Sequence, residues 1–93
     1  TMLPSEYVKM GWCQHQSAQT EDGHPVTAGS PYASQVCLLG AIYRAGYSKA
    51  ITRMQEDELI KNCDPFWNDA PERTQAEVVA ELARRERTVG LRG

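Results

Sequence analysis

The sequence predicts an all-α fold: a small four-helix domain around a buried second helix, with a long loop or short β-hairpin between helices 1 and 2. Three observations predict it. Val36 to Tyr43 carries no charged residue, so that segment reads as a helix apolar on nearly every side and therefore central. Three further segments place apolar residues three or four apart, the spacing of one helix face. Start and stop residues (Ser, Thr and Pro before those segments, Gly and Asn after them) bracket each one.

Taken in order, "LPSEYVKMGW" opens with Pro4 or Ser5, puts Leu3, Tyr7 and Met10 on one face and stops at Gly11, which predicts a first helix over 4–10. "WCQHQSAQTEDGHPVTAGS" is polar, and its Asp22-Gly23 pair favours a turn with positive φ, so 13–18 can pair with 24–27 as a hairpin or the whole stretch can be an ordered loop. In "SPYASQVCLLGAIYRAGY", Ser30 suits the cap, Pro31 the first turn, and Gly46 the stop. Gly40 inside that helix costs about 1 kcal/mol in propensity, which points to close approach by another backbone. Ser48 then caps a third helix with Ile51, Met54 and Leu59 inward, and Asn62 supplies a left-handed end. After a turn-rich loop at 63–73, Thr74 and Glu77 spell a capping box for a last helix over 75–87, with Ala76, Val79, Ala80 and Ala83 inward and Leu82 beside them. "TVGLRG" reads as a loose tail.

Ninety-three residues make one domain, with an ordered core over about 4–88 and little stability to spare. A net charge of −2 argues against nucleic acid, which requires concentrated positive charge. No apolar run approaches the roughly 20 residues that span a bilayer, and no stretch reads as a secretory signal, with Met2 as the natural start. Cys13, Cys37 and Cys63 are an odd set without a CxxC pair, so a reducing, cytoplasmic setting is expected.

Several residues are candidates for chemistry. Cys13, His15 and His24, with Cys37, are the right atoms for tetrahedral zinc, but paired ligand spacing is missing and Cys37 lies among apolar residues, so no metal and no cofactor is expected. Cys37 or Cys13 with a histidine lists the parts of a cysteine nucleophile without the local signature. Asp69 with Asp64 or Glu72 can do acid–base work, yet Asn and Asp before a helix more often bind nearby backbone N–H groups. On that reading Asn68 and Asp69 tie the loop to the last helix, while Phe66 and Trp67 anchor it in the core. Arg84, Arg85 and Arg87 on the last helix, with His15 and His24 in the loop, are the candidate binding residues.

The motifs stand in a distinctive order: Gly11-Trp12-Cys13-Gln14, then Asp22, then Cys37, Gly40 and Ala41, then Trp67-Asn68-Asp69 followed by Arg73, Thr74, Glu77 and Val78. Over most of residues 5 to 85 this resembles a domain-of-unknown-function family of short proteins from actinobacterial and phage genomes. His15 stands where the pattern has a small residue such as glycine. The resemblance implies a mainly helical domain and no particular activity. The leading functional expectation is a non-enzymatic binding or regulatory protein with a protein partner, such as a phage-encoded modulator of a host protein. The alternatives are a small metal-dependent or cysteine-based enzyme using Cys13, His15 and His24, and a domain that pairs with its own copy, which adds stability to a short chain.

Overall fold

In a computed structural model describing residues 2–91, the chain runs α1 (Pro4–Met10), β1 (Ala18–Gln19), β2 (Pro25–Val26), β3 (Gln35–Val36), α2 (Leu38–Tyr47), α3 (Arg53–Ile60), α4 (Pro65–Asn68) and α5 (Gln75–Val89). The strands form one antiparallel sheet in the order β2-β1-β3. The domain is therefore α+β, and the all-α four-helix expectation is wrong. Each strand is two residues long, too short for the alternation that marks a strand in sequence. The hairpin expectation falls close: Ala18 pairs with Val26 and Gln19 with Pro25 around Gly23, whose φ is +91°.

The second helix begins later than Ser30 and Pro31 suggest. Ser30 does organise a turn, its Oγ accepting the Tyr32 N–H and its carbonyl the Ala33 N–H. Ser34 then donates to the Gln19 carbonyl, which draws Gln35 and Val36 into the sheet beside β1. On its other side Val36 bridges Trp12 in parallel. With main-chain groups engaged on both flanks, 35–36 cannot be helical, and α2 starts only after Cys37, whose Sγ accepts the Gly40 N–H at 3.3 Å.

α2 is nevertheless the hub. Leu38, Gly40, Ala41, Ile42 and Ala45 are buried, joined by Val8 from α1, Leu59 from α3, and Val78 and Leu82 from α5. Its outer side carries Tyr43 and Tyr47, so it is not apolar all round. α3 is capped by Thr52 rather than Ser48, which instead ends α2. Ile51 and Leu59 point inward as expected, but Met54 faces solvent. Asn62 does adopt a left-handed conformation, with φ +60°. α5 carries the expected Thr74–Glu77 capping box and runs on to Val89, where Gly90 at φ +87° closes it. Arg92 and Gly93, the end of the expected tail, lie outside the described residues. The inner stripe of α5 is Val78, Leu82 and Glu86, one residue out of phase with the expected alanines; Ala76 and Ala80 are exposed.

Two charged side chains of α5 serve the fold. Glu86 is buried and accepts the Ser5 N–H at 2.8 Å and the Ser5 hydroxyl at 2.7 Å, supplying acceptors at the start of α1, where the first N–H groups have no partner within the helix. Arg85 donates at 2.8 Å to each of the Leu59 and Lys61 carbonyls, closing the C-terminal end of α3. On the opposite side Arg44 donates to the Ala28 and Ser30 carbonyls and fastens the loop after β2 to the hub.

Gly40 lies against the Ser17 carbonyl oxygen, which would overlap any Cβ at that position. The close approach expected from sequence is thus real, and an alanine there must push two backbones apart. Gly40→Ala, which in an ordinary helix gains about 1 kcal/mol, is expected to cost about 2 kcal/mol and to lower the melting temperature by roughly 10 °C. Thermal denaturation followed by circular dichroism checks this; an unchanged or raised midpoint contradicts it.

Candidate functional site

The loop before α5 owes its shape to Asp64 and Pro65. The Asp64 carboxylate accepts the Phe66 N–H at 2.9 Å, and Pro65 occupies the first turn of α4. Residues two apart on a helical turn lie on nearly opposite sides. Phe66 is accordingly 82% exposed while Asn68 is 1% exposed. The expectation that Phe66 anchors the loop in the core is wrong; a polar amide holds that position.

Asn68 is fully committed. Its Oδ1 accepts the Trp12 indole N–H at 2.9 Å and the Leu38 backbone N–H at 3.1 Å. Its Nδ2 donates to the Cys13 carbonyl at 3.3 Å and to Asp69 Oδ1 at 2.9 Å. Trp12 and Leu38 offer only donors and Cys13 only an acceptor, which fixes the orientation of the amide. The contacts continue outward. Gln14 Nε2 donates to the Asn68 and Ala70 carbonyls, and the His15 N–H donates to Asp69 Oδ1 at 2.9 Å. Arg73 donates to the Trp67 carbonyl at 2.8 Å and lays its guanidinium 3.9 Å over the Trp67 ring. Arg73 also pairs with Glu77, the partner of Thr74 in the capping box. Trp12, Cys13, Gln14, Trp67, Asn68, Asp69, Arg73, Thr74 and Glu77 are therefore one connected network. Cys37 and Gly40 sit beside it, where α2 meets the Gln16–Ser17 backbone.

The network's chemistry is quiet. Burial, with smaller contributions from the Cys37 thiol and the Asp69 carboxylate, pushes the Cys13 thiol up to about 12. Burial also raises Cys37 and Cys63. Protonated thiols are poor nucleophiles. His15 is exposed, its Nδ1 lying 3.7 Å from Asp69 Oδ2. His24 sits on the exposed Thr20–His24 turn, 3.2 Å from Asp22. Among the described residues no group of three or more His, Cys, Asp or Glu side chains is placed to hold a metal ion.

The arginines divide. Arg84 and Arg87 face solvent, whereas Arg85 is spent on carbonyls. Glu81 bonds both Arg84 and Arg85, and the Arg84 hydrogen bond leads the causes that hold its carboxyl below the ordinary range. A feature the sequence reading missed lies across the molecule. Tyr43 and Tyr47, one turn apart on α2, border a surface groove of about 680 Å³ with Lys49, Ile51, Arg53 and Glu56. Tyr47 is 68% exposed. Two tyrosines at i and i+4 are the sequence signal for it, but a segment apolar on nearly every side hides which of its faces is outward.

A small α+β domain with a polar seam between its sheet corner and its hub helix is the class of protein this geometry defines. Residues 8–87 match the family of unknown function DUF6197, and the chain belongs to that family. The matched span takes in every residue of the seam from Trp12 to Glu77. No curated protein and no solved structure matches the chain. No helix among the described residues is long and apolar enough to cross a membrane.

Two substitutions separate the seam's contributions. Asn68→Ala leaves the Trp12 and Leu38 N–H groups and the Cys13 carbonyl without their partner, and is expected to cost about 3 kcal/mol or more. Its urea midpoint should fall steeply; a shift under a fifth of the wild-type value contradicts the network's role. His15 has φ +72°, in the left-handed region that disfavours side chains. His15→Gly keeps the backbone bond to Asp69 and is expected to gain about 0.5–1 kcal/mol. A loss of stability in the same urea titration would show that the imidazole contributes more than its backbone conformation costs.

Proposed function

We propose that this protein is a small non-enzymatic binding and regulatory domain whose partner is a protein, and that its binding face is the tyrosine groove between α2 and the start of α3. The observation that carries the reading is Tyr47, a large aromatic held mostly in solvent beside Tyr43. Tyrosine and arginine are the residues that most often anchor protein interfaces. Lys49 and the 86%-exposed Arg53 side chain put two cations on the groove's rim, Arg53 also reaching Glu56 and Asp57. This suits a partner segment carrying an apolar or aromatic residue flanked by acid. The seam supports the same reading from the other direction, because its acid, amide and thiol groups are engaged with one another or held protonated. A net charge of −2 favours a protein over nucleic acid. Three free thiols suit a cytoplasmic setting. The resemblance to phage and actinobacterial proteins suggests a host protein as the partner.

The exposed His15 and His24 turn region and the Arg84–Arg87 face are the competing surfaces. Affinity capture from host lysate with four forms of the protein compares them: wild type, Tyr47→Ala with Arg53→Glu, His15→Ala with His24→Ala, and Arg84→Ala with Arg87→Ala. One stoichiometric partner should be retained by wild type and by the histidine and arginine double variants and lost, by at least about tenfold in affinity, from the groove variant. Retention by the groove variant, or no stoichiometric partner at all, overturns the proposal.

A further inference from the structure

The bridge between Trp12 and Val36 brings two cysteines side by side. Val36 donates to the Gly11 carbonyl at 3.0 Å, and Cys13 donates to the Val36 carbonyl at 3.1 Å, so the two chains run in parallel register. The residues following the bridged pair are Cys13 and Cys37. Carrying that parallel register one residue past the isolated bridge puts the two side chains on the same face, at a strand spacing of about 4.8 Å. That separation falls inside the window of roughly 4.4–6.8 Å between Cα atoms that a disulfide spans. The sulfurs themselves provide a second, independent observation. The Cys13 thiol donates to the Gln16 carbonyl at 3.5 Å, and Cys37 Sγ accepts the Gly40 N–H at 3.3 Å. Ser17, next to Gln16, rests its carbonyl on Gly40 and accepts the Cys37 N–H at 3.0 Å. Each sulfur is thus held next to the contact between the Ser17 carbonyl and Gly40, Cys13 through Gln16, the residue before Ser17, and Cys37 through Gly40 itself. Cys63 donates to the Leu59 carbonyl at the end of α3 and also feels the Cys37 thiol, so it is the competing partner the test must separate.

We propose that Cys13 and Cys37 are a reversible thiol pair that closes to an intramolecular disulfide when the protein meets a hydroperoxide. Cys37, half-buried while Cys13 is fully buried, reacts first. Its thiolate attacks one peroxide oxygen and the O–O bond breaks, giving a sulfenic acid and releasing water or an alcohol once the leaving oxygen takes a proton. Cys13 sulfur then attacks Cys37 sulfur, the S–O bond breaks, and the hydroxyl leaves as a second water with the Cys13 proton. Two thiols are oxidised, one peroxide is reduced, and no other reactant is needed. Because burial keeps both thiols protonated, closure is slow near neutrality and accelerates as pH rises. The covalent loop from 13 to 37 encloses all three strands and fastens the sheet to the first turn of the hub. This inference stands independently of the binding reading above.

The test uses the full chain and its Cys63→Ser form, treated with hydrogen peroxide at mildly alkaline pH, alkylated and cleaved after Glu21 without reduction. Cleavage there separates Cys13 from Cys37, so only a disulfide keeps the two peptides together. Both forms should yield that linked pair as monomers, should melt about 5 °C or more higher than before oxidation, and should revert with dithiothreitol. Cys37→Ser, which keeps a good helix cap, should leave Cys13 as a free thiol. Linkage of Cys37 or Cys13 to Cys63, dimers alone, overoxidation without a crosslink, or full retention of both thiols would overturn the proposal. The Cys63→Ser arm decides the matter even if Cys37→Ser does not fold.

Discussion

One buried carboxamide holds three parts of this chain at a point. Asn68 meets the Trp12–Cys13 corner, the first N–H of the hub helix at Leu38, and its own neighbour Asp69. Each of those segments is weak alone. The strands are two residues long, α4 is a single turn, and the N-terminal N–H groups of α2 have no partner within the helix. A helix start left unpaired in the interior is costly, as is a buried indole N–H. A single side chain with two acceptor sites and two protons resolves these needs together, and among the described residues no buried side-chain nitrogen or oxygen lacks a partner. In a short chain with a limited apolar core, such a polar junction does what additional hydrophobic area does in larger domains.

The same junction occupies most of the polar side chains that the sequence singles out. Asp69, the best-placed acid, receives hydrogen bonds from Asn68 and from the His15 backbone. Gln14 and Arg73 are turned onto main-chain carbonyls. Residues that look reactive in a list become mortar when folded. Among the surfaces the junction leaves unused is the groove that Tyr43 and Tyr47 border at the far end of α2. The two cysteines at the edge of the junction are the exception. Burial raises both thiols, and each stands one residue past the Trp12–Val36 bridge, where the proposed thiol pair would close.

What was legible in the sequence follows from how locally each feature is encoded. The Thr74–Glu77 capping box, the Asp22-Gly23 turn and the left-handed Asn62 each depend on a few adjacent residues, and the close approach at Gly40 shows locally as a glycine inside a helix, although its partner Ser17 is distant. The third strand could not, because Gln35 and Val36 are committed by Ser34 bonding to a residue fifteen positions earlier, within an apolar run that suits a helix equally well. The phase of α5 was misread because alanines mimic an inward stripe, while the buried polar position belongs to Glu86, whose partner Ser5 is at the other end of the chain. For a similar reason Phe66 lies outward, and Asn68 turns to the Trp12–Cys13 corner and α2 rather than to the last helix as expected. Hydrophobicity alone assigns the phenylalanine inward, and only the unpaired N–H groups of two distant segments reveal that an amide is wanted there.

Native-state hydrogen exchange at the Leu38 amide and the Trp12 indole tests the central claim most directly. If Asn68 closes the interior as described, both protons exchange only through global unfolding, with the same free energy as the amides of Ile42 and Leu82. Exchange of either proton at rates typical of an exposed loop, while the core amides stay protected, would contradict the account.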